Sequence, residues 1–281
     1  MTEQADLMPE VVVRRRGSPV IWAASLVGLL TFTYPFFLPA LGRPERLTGR
    51  GTEVALLFAV LSVVCLGTIL LEVQAGATAR GAATSKMVAF LGVLVAVNAA
   101  LRLIPSLLGA SPIFLLIILV GFAYGADFGF LMGALTLLVS AFITGGLGPW
   151  LPFQMLAAGW VGMSAGWLPR RGGRRDVVVL AVFGAVWGFL FGAVMNLYFW
   201  PFAAPGLEQP AGLYWVPGMS AAETLRTYAR FYLVTSLVHD LFRAAANVVL
   251  VLLLARPILA LLDRFHERFT WQPWEELPAE G

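Results

Sequence analysis

Apolar runs recur along nearly the whole chain, and each is long enough to matter in lipid. Crossing a hydrocarbon core takes about 20 apolar residues, with a range of about 17–25. Runs of this kind fall at about 19–41, 53–74, 87–108, 112–126, 128–147, 152–168, 177–200 and 228–256. They predict eight transmembrane helices and an all-α integral membrane protein. The run at 112–126 is short and needs tilt, local thinning or burial among its neighbours. Charged residues make up 12% of the 281, about half the share in a soluble domain. So few charges cannot cover a globular surface.

The basic residues sit in short clusters between the runs, a pattern of membrane topology rather than nucleic-acid binding. Arg14, Arg15 and Arg16 place the N-terminus inside. Eight crossings then put Arg80, Lys86, the run RRGGRR at 170–175, and the tail with Arg264, His266 and Arg268 inside as well. Arg43, Arg46 and Arg50 oppose this reading, and the denser 170–175 run outweighs them. The first run exceeds a signal-peptide core and lacks a cleavage motif after it, so it reads as a retained helix. The expected site of the protein is the bacterial or archaeal cytoplasmic membrane, with both termini cytoplasmic.

Several chemistries are excluded. Cys65 is the only cysteine, and His239 and His266 are the only histidines. No disulfide within the chain, cysteine-based zinc site or multi-histidine metal site can be built from them. P-loop and HExxH motifs are missing. No cofactor or metal is expected, and no enzyme activity.

Ionisable groups inside a membrane are costly and point to function by default. The last run contains LVTSLVHDLFRAAANVVL. Ser236, Asp240, Arg243 and Asn247 share one helical face there. The run's limits place them about midway through the bilayer, with His239 on a neighbouring face. They read either as a structural ion pair or as the polar floor of a ligand cavity. Asn98 and Arg102 share a face of the third run, Asn196 lies below Trp200, and Gln154 heads the sixth run. Together these groups can line an outward-facing pocket. Trp150, in the turn GGLGPW, can cap that pocket or sit at the membrane interface. Trp215, in the proline-rich loop 201–227, belongs to an ordered lid or to an interfacial aromatic belt.

Small residues recur at helical spacing. Gly184, Gly188 and Gly192 mark the seventh run, and Gly129 and Gly133 the fifth. They read as close packing within the chain. Ala89, Gly92, Ala96 and Ala100 line one side of the third run and are a candidate surface for another subunit.

Three stretches carry a family likeness: AFLGVLVAVNAALRLIP, FGFLMGALTLLVSAFITGGLGPWLPFQMLAAGWVGMSAGWLP and HDLFRAAANVVLVLLLARP. From about 84 to 262 the chain resembles the substrate-binding S component of energy-coupling factor (ECF) vitamin transporters. The resemblance implies a six-helix substrate-binding membrane core at 84–262. Two extra transmembrane helices at 19–83 precede it, between cytoplasmic tails at 1–18 and 263–281. It implies capture of a vitamin or related micronutrient from outside, with cobalamin or a corrinoid precursor the first candidate and riboflavin or thiamine-like compounds behind. It implies a transmembrane T component and two ABC-type ATPases as partners. The T component would dock on Ala89, Gly92, Ala96 and Ala100. The substrate would bind among the 145–154 turn, the 201–227 loop and the last helix. A self-sufficient secondary transporter, or an integral-membrane enzyme using Asp240 and His239, are the alternatives.

Overall fold

A computed structural model of the chain describes residues 18–37, 56, 59–71, 81–106, 108–200, 212–215 and 219–269. All regular elements among them are helices: α1 (Pro19–Phe37), α2 (Ala59–Leu71), α3 (Gly81–Leu101), α4 (Ile113–Tyr124), α5 (Ala126–Thr144), α6 (Leu151–Ala165), α7 (Arg174–Phe199), α8 (Ala221–Thr235) and α9 (Leu237–Phe269). This is the expected all-α membrane protein. By length and composition α5, α7 and α9 can each cross a membrane, and α1 to α4 contain shorter apolar stretches.

The short fourth run is accommodated by burial. α4 is apolar all round, and Ile117, Ile118, Leu119 and Val120 have no exposure at all. A helix with no polar face belongs at the centre of a bundle, and α5, α6, α7 and α9 pack around α4. The left-handed backbone of Gly125 (φ 93°) ends α4, and α5 starts at the next residue.

The glycines set how near the helices come. A Cβ on Gly162 of α6 would lie 2.0 Å from the Gly129 carbonyl oxygen of α5, and one on Gly133 would lie 2.1 Å from the Ala158 carbonyl oxygen. On the other side of the bundle, a Cβ on Gly188 of α7 would lie 2.5 Å from Ala244 Cα of α9. Both expected glycine patterns therefore serve packing within the chain.

The last expected run is two elements instead of one. α8 starts at a capping box: Ser220 Oγ accepts from Glu223 N, and the Glu223 carboxylate accepts from Ser220 N. α8 ends at Ser236, whose backbone (φ −121°, ψ −27°) leaves the helical region, and α9 starts at the next residue. The spanning part of α9 is Leu237–Phe265. Asp240 thus stands in the first turn of a membrane helix, not at its midpoint. α8 carries Glu223, Arg226 and Arg230, and the candidate span starts at Leu237, nine residues later than 228.

α1 lies on α6. Trp160 Nε1 donates to Ser25 Oγ at 2.9 Å, Trp22 stacks on Trp167 at 5.7 Å, and Phe32 meets Phe153 edge-on at 4.9 Å. The Ser18 backbone N–H donates to Asp127 Oδ1, which ties the start of α1 to the start of α5. α2 touches the start of α6 through Cys65, whose thiol faces the Pro152 carbonyl at 3.7 Å. The clusters Arg14–Arg16, Arg43–Arg50 and Arg80, and the side chains of His266 and Arg268, lie outside the described residues.

Candidate functional site

Two concavities occupy opposite ends of the bundle. The first, of about 410 Å³, opens where α3, α5 and α7 end and α4, α6 and α9 begin. Arg102, just past α3, and Ser106, Gly109 and Ser111 of the following loop form one wall. Ile113 and Phe114 of α4, with Leu137 and Thr144 of α5, form another. Gln154, in the first turn of α6, and Phe191 and Arg243, from α7 and α9, complete it.

Three of the expected site residues come together here: Arg102, Gln154 and Arg243. Arg102 Nη1 donates to Ser140 Oγ at 3.0 Å, and that hydroxyl passes its own proton to the Leu137 carbonyl. The oxygen of the Gln154 side-chain amide is buried and accepts no hydrogen bond among the described residues. Arg243 is held on three sides. It pairs with Asp240, donates to the Gly188 carbonyl at 3.1 Å, and lies over the Phe191 ring with 5.4 Å to the centroid. Phe114 supports that ring edge-on at 4.9 Å.

A second group stands behind the wall. Asp240 is 1% exposed and accepts from Tyr232 OH of α8 at 2.8 Å as well as from Arg243. It fills the space that Gly192 leaves, since a Cβ there would lie 2.0 Å from its Oδ2. Asn247 donates to the Gly184 carbonyl at 2.9 Å and pins α9 to α7. Asn98 donates to the Ile113 carbonyl and to Thr136 Oγ1, both at 3.1 Å, and so joins α3 to the cavity wall.

A third group lies under α8. Asn196 donates to Ser236 Oγ at 2.7 Å, across the break between α8 and α9. Trp200 is buried, donates to the Leu213 carbonyl at 2.9 Å, and packs against Tyr228. Trp215 is half-buried in the same region. Residues 201–211 and 216–218 of the expected lid lie outside the described residues.

Two expected residues point elsewhere. Trp150 folds back over its own turn, donates to the Gly146 carbonyl at 3.2 Å, and lies against Gly148. The His239 side chain is exposed, because it sits about 100° round the helix from the Asp240 face. Sequence reasoning missed Ser106, Ser111, Thr144, Phe114 and Phe191. The two prolines, the glycine and the two serines in IPSLLGASP were the available signal that the α3–α4 connection does more than turn.

The other concavity is a groove of about 360 Å³ between α1, α6 and α7, lined by Trp22, Trp160, Trp167 and Trp187. Its polar atoms are used internally: Trp160 Nε1 donates to Ser25, Trp187 Nε1 to Ser164, and Ser164 to the Trp160 carbonyl. It offers nothing to hold a polar molecule in place. The RRGG turn lies at this end, with the Arg171 and Gly172 N–H groups donating to Asp176 at 2.8 and 3.0 Å. Ala89, Gly92, Ala96 and Ala100 form an exposed stripe on α3, while Leu91, Val95, Asn98 and Ala99 face inward.

A family model described as ECF transporter, substrate-specific component matches residues 86–255, which run from α3 into α9 and leave out α1 and α2. No curated protein and no solved structure matches the chain.

Proposed function

The chain belongs to the family of substrate-specific components of ECF transporters, and from that premise we propose that it captures a vitamin or related micronutrient in the cavity at Arg102, Gln154 and Arg243. The family is one of transporter subunits rather than enzymes. Its members work with a T component and ATPases, and two ABC-type ATPases would drive delivery of the captured molecule here.

One observation carries the reading. Among the described residues, the apolar bundle holds a concavity lined by polar groups where α3, α5 and α7 end. Ligand sites are mostly apolar hollows with a few placed polar groups, and this cavity fits that description. Orientation follows from charge. The Arg170–Arg175 turn lies at the opposite end and belongs on the cytoplasmic side, so the cavity faces outward. The exposed α3 stripe is the surface offered to the T component, because small residues let two helices approach closely in lipid.

The test is purification of the full chain in mild detergent, followed by mass spectrometry of what it retains and by co-purification with T component and ATPases. A small organic molecule in single-site stoichiometry, together with assembly of the complex, is the expected result. Failure of both ends the proposal. Ion-gradient uptake in cells lacking those partners would replace it with a self-sufficient transporter.

A further inference from the structure

The charges around the cavity do not balance. Two guanidinium groups line it, and among the described residues no carboxylate does. Asp240 stands behind Arg243 and neutralises it. The other described carboxylates are distant. Asp127 opens α5 while Thr144, at the far end of α5, lines the cavity; at 1.5 Å per residue that separation is about 25 Å. Asp176 opens α7 and Asp263 lies near the end of α9, both far from the cavity. Glu223 is committed to the cap of α8. Among the described residues Arg102 alone keeps its charge there, since the partner seen for it is the neutral hydroxyl of Ser140.

A half-buried guanidinium facing a hollow gains most from an oxyanion. Its planar fork matches two carboxylate oxygens, and such charge-assisted bonds are about twice as strong as neutral ones. The size of the imbalance selects among oxyanions. One uncompensated positive charge is matched by one carboxylate, whereas a phosphate monoester brings about −1.5 to −2 and overshoots. The rest of the lining is apolar or neutral: Phe114, Phe191, Ile113 and Leu137, with the Gln154 amide and the hydroxyl of Ser111 as uncharged hydrogen-bonding groups. The volume of about 410 Å³ lies toward the low end of the range of about 300–1,000 Å³ for small-molecule pockets. It suits a compact molecule better than a corrinoid.

Resting on the capture reading above, we infer that the substrate is a compact organic monocarboxylate. Its carboxylate is received by Arg102. Its apolar or heterocyclic body lies against Phe114 and Phe191, where the Gln154 amide meets one of its polar groups. Arg243 serves as a wall that Asp240 has already neutralised, not as the anion receptor.

The experiment uses the detergent-purified full chain and matched probes: nicotinate with nicotinamide, pantothenate with pantothenol, biotin with biotin primary amide, and a phosphate monoester, pyridoxal phosphate. Thermal unfolding and equilibrium dialysis report binding. At least one acid should bind about ten-fold or more tightly than its neutral partner. Arg102→Gln should abolish that preference, and Arg102→Lys should restore part of it. A neutral partner bound as well as its acid overturns the inference, as does tighter binding of the phosphate. So does a preference that survives Arg102→Gln, or no binding by any acid. The capture reading is judged separately: a neutral molecule retained through purification, with the transporter complex still assembling, overturns the carboxylate and leaves the capture function standing.

Discussion

The α5–α6 seam and the α7–α9 seam are built from the same device and end differently. Both use glycines to bring two helices close. Between α5 and α6 the gap is closed by main chain on main chain, as Gly129 against Gly162 and Gly133 against Ala158. Between α7 and α9, Gly188 meets Ala244 in that way, but Gly184 and Gly192 open onto the polar side chains Asn247 and Asp240. One seam is dry packing. The other carries buried hydrogen bonds along the helix pair up to Arg243 at the cavity. A small-residue stripe thus tells where helices meet, and the partner residues tell what the meeting is for.

The largest effect is expected at the dry seam. Gly162→Leu places a side chain where the Gly129 carbonyl already lies. Overpacking a core costs about 1–3 kcal/mol when side chains can yield. Here main chain must move, so the cost exceeds that range and the variant should be lost from the monodisperse peak in size-exclusion chromatography. Gly92→Leu is the contrast, since a Cβ there meets nothing within 4 Å. It should keep the wild-type unfolding temperature while impairing assembly with the T component. Equal stability loss in the two variants would erase the difference between a seam and an outward-facing stripe.

At the polar seam the effects are smaller and coupled. Asp240→Ala leaves Arg243 without its counter-charge, and breaking a buried pair costs about 3–5 kcal/mol. Gly192→Ala drives a methyl into the Asp240 carboxylate and is also destabilising. The two should not add: without the carboxylate the methyl has room, and a coupling of about 0.5–3 kcal/mol should appear in a double-mutant cycle of thermal stability. Gly129→Ala with Gly162→Ala should show no such relief, because each methyl meets a carbonyl that cannot be removed. Strict additivity at Gly192 and Asp240 would mean that the carboxylate is not what fills the glycine's space.

The two seams also differ in how plainly the sequence shows them. The glycine periods at 129–133 and 184–192 are regular, and both mark real helix contacts. α4 was legible as a run short enough to need tilt, local thinning or burial, and burial is the outcome. The family likeness rested on stretches of α3, α5, α6 and α9, and the matched region, 86–255, takes in the first three and nearly all of the last. What sequence reasoning did not show was which polar residues converge. Arg102 just past α3, Gln154 of α6 and Arg243 of α9 are far apart in sequence, and only the packing of those elements brings them to one cavity. Asn98, Asn247 and Asp240 have similar chemistry and burial but do not line the cavity: the two amide nitrogens donate to carbonyls and a hydroxyl behind its wall, and Asp240 pairs with Arg243. Hydropathy also hid the α8–α9 break, since apolar residues of α8 run on into those of α9. The local signal was Ser220 followed three residues later by Glu223, a helix start inside what reads as loop.

That cap is the site of the smallest predicted effect, and it tests whether α8 is separable from the seam beneath it. The Glu223 carboxyl is held below its ordinary value of 4.5, chiefly because it accepts the Ser220 backbone N–H, then the Ser220 hydroxyl, with Arg226 adding to the effect. A carboxyl lowered by folding contributes stability that is present above its unfolded value and is lost as pH falls through its folded value. The cap should therefore be intact at neutral pH and weaken only below about pH 4.5. Amide exchange, corrected for its intrinsic pH dependence, should quicken there in the first turn of α8. The Tyr232–Asp240 end of α8, anchored by buried Phe231, should hold to lower pH. Glu223→Gln should remove the acid response of the first turn while leaving α9 protection unchanged. If α8 and the start of α9 lose protection together at one pH, the cap and the polar seam form a single cooperative unit, and the boundary at Ser236 is only a local departure from helical backbone.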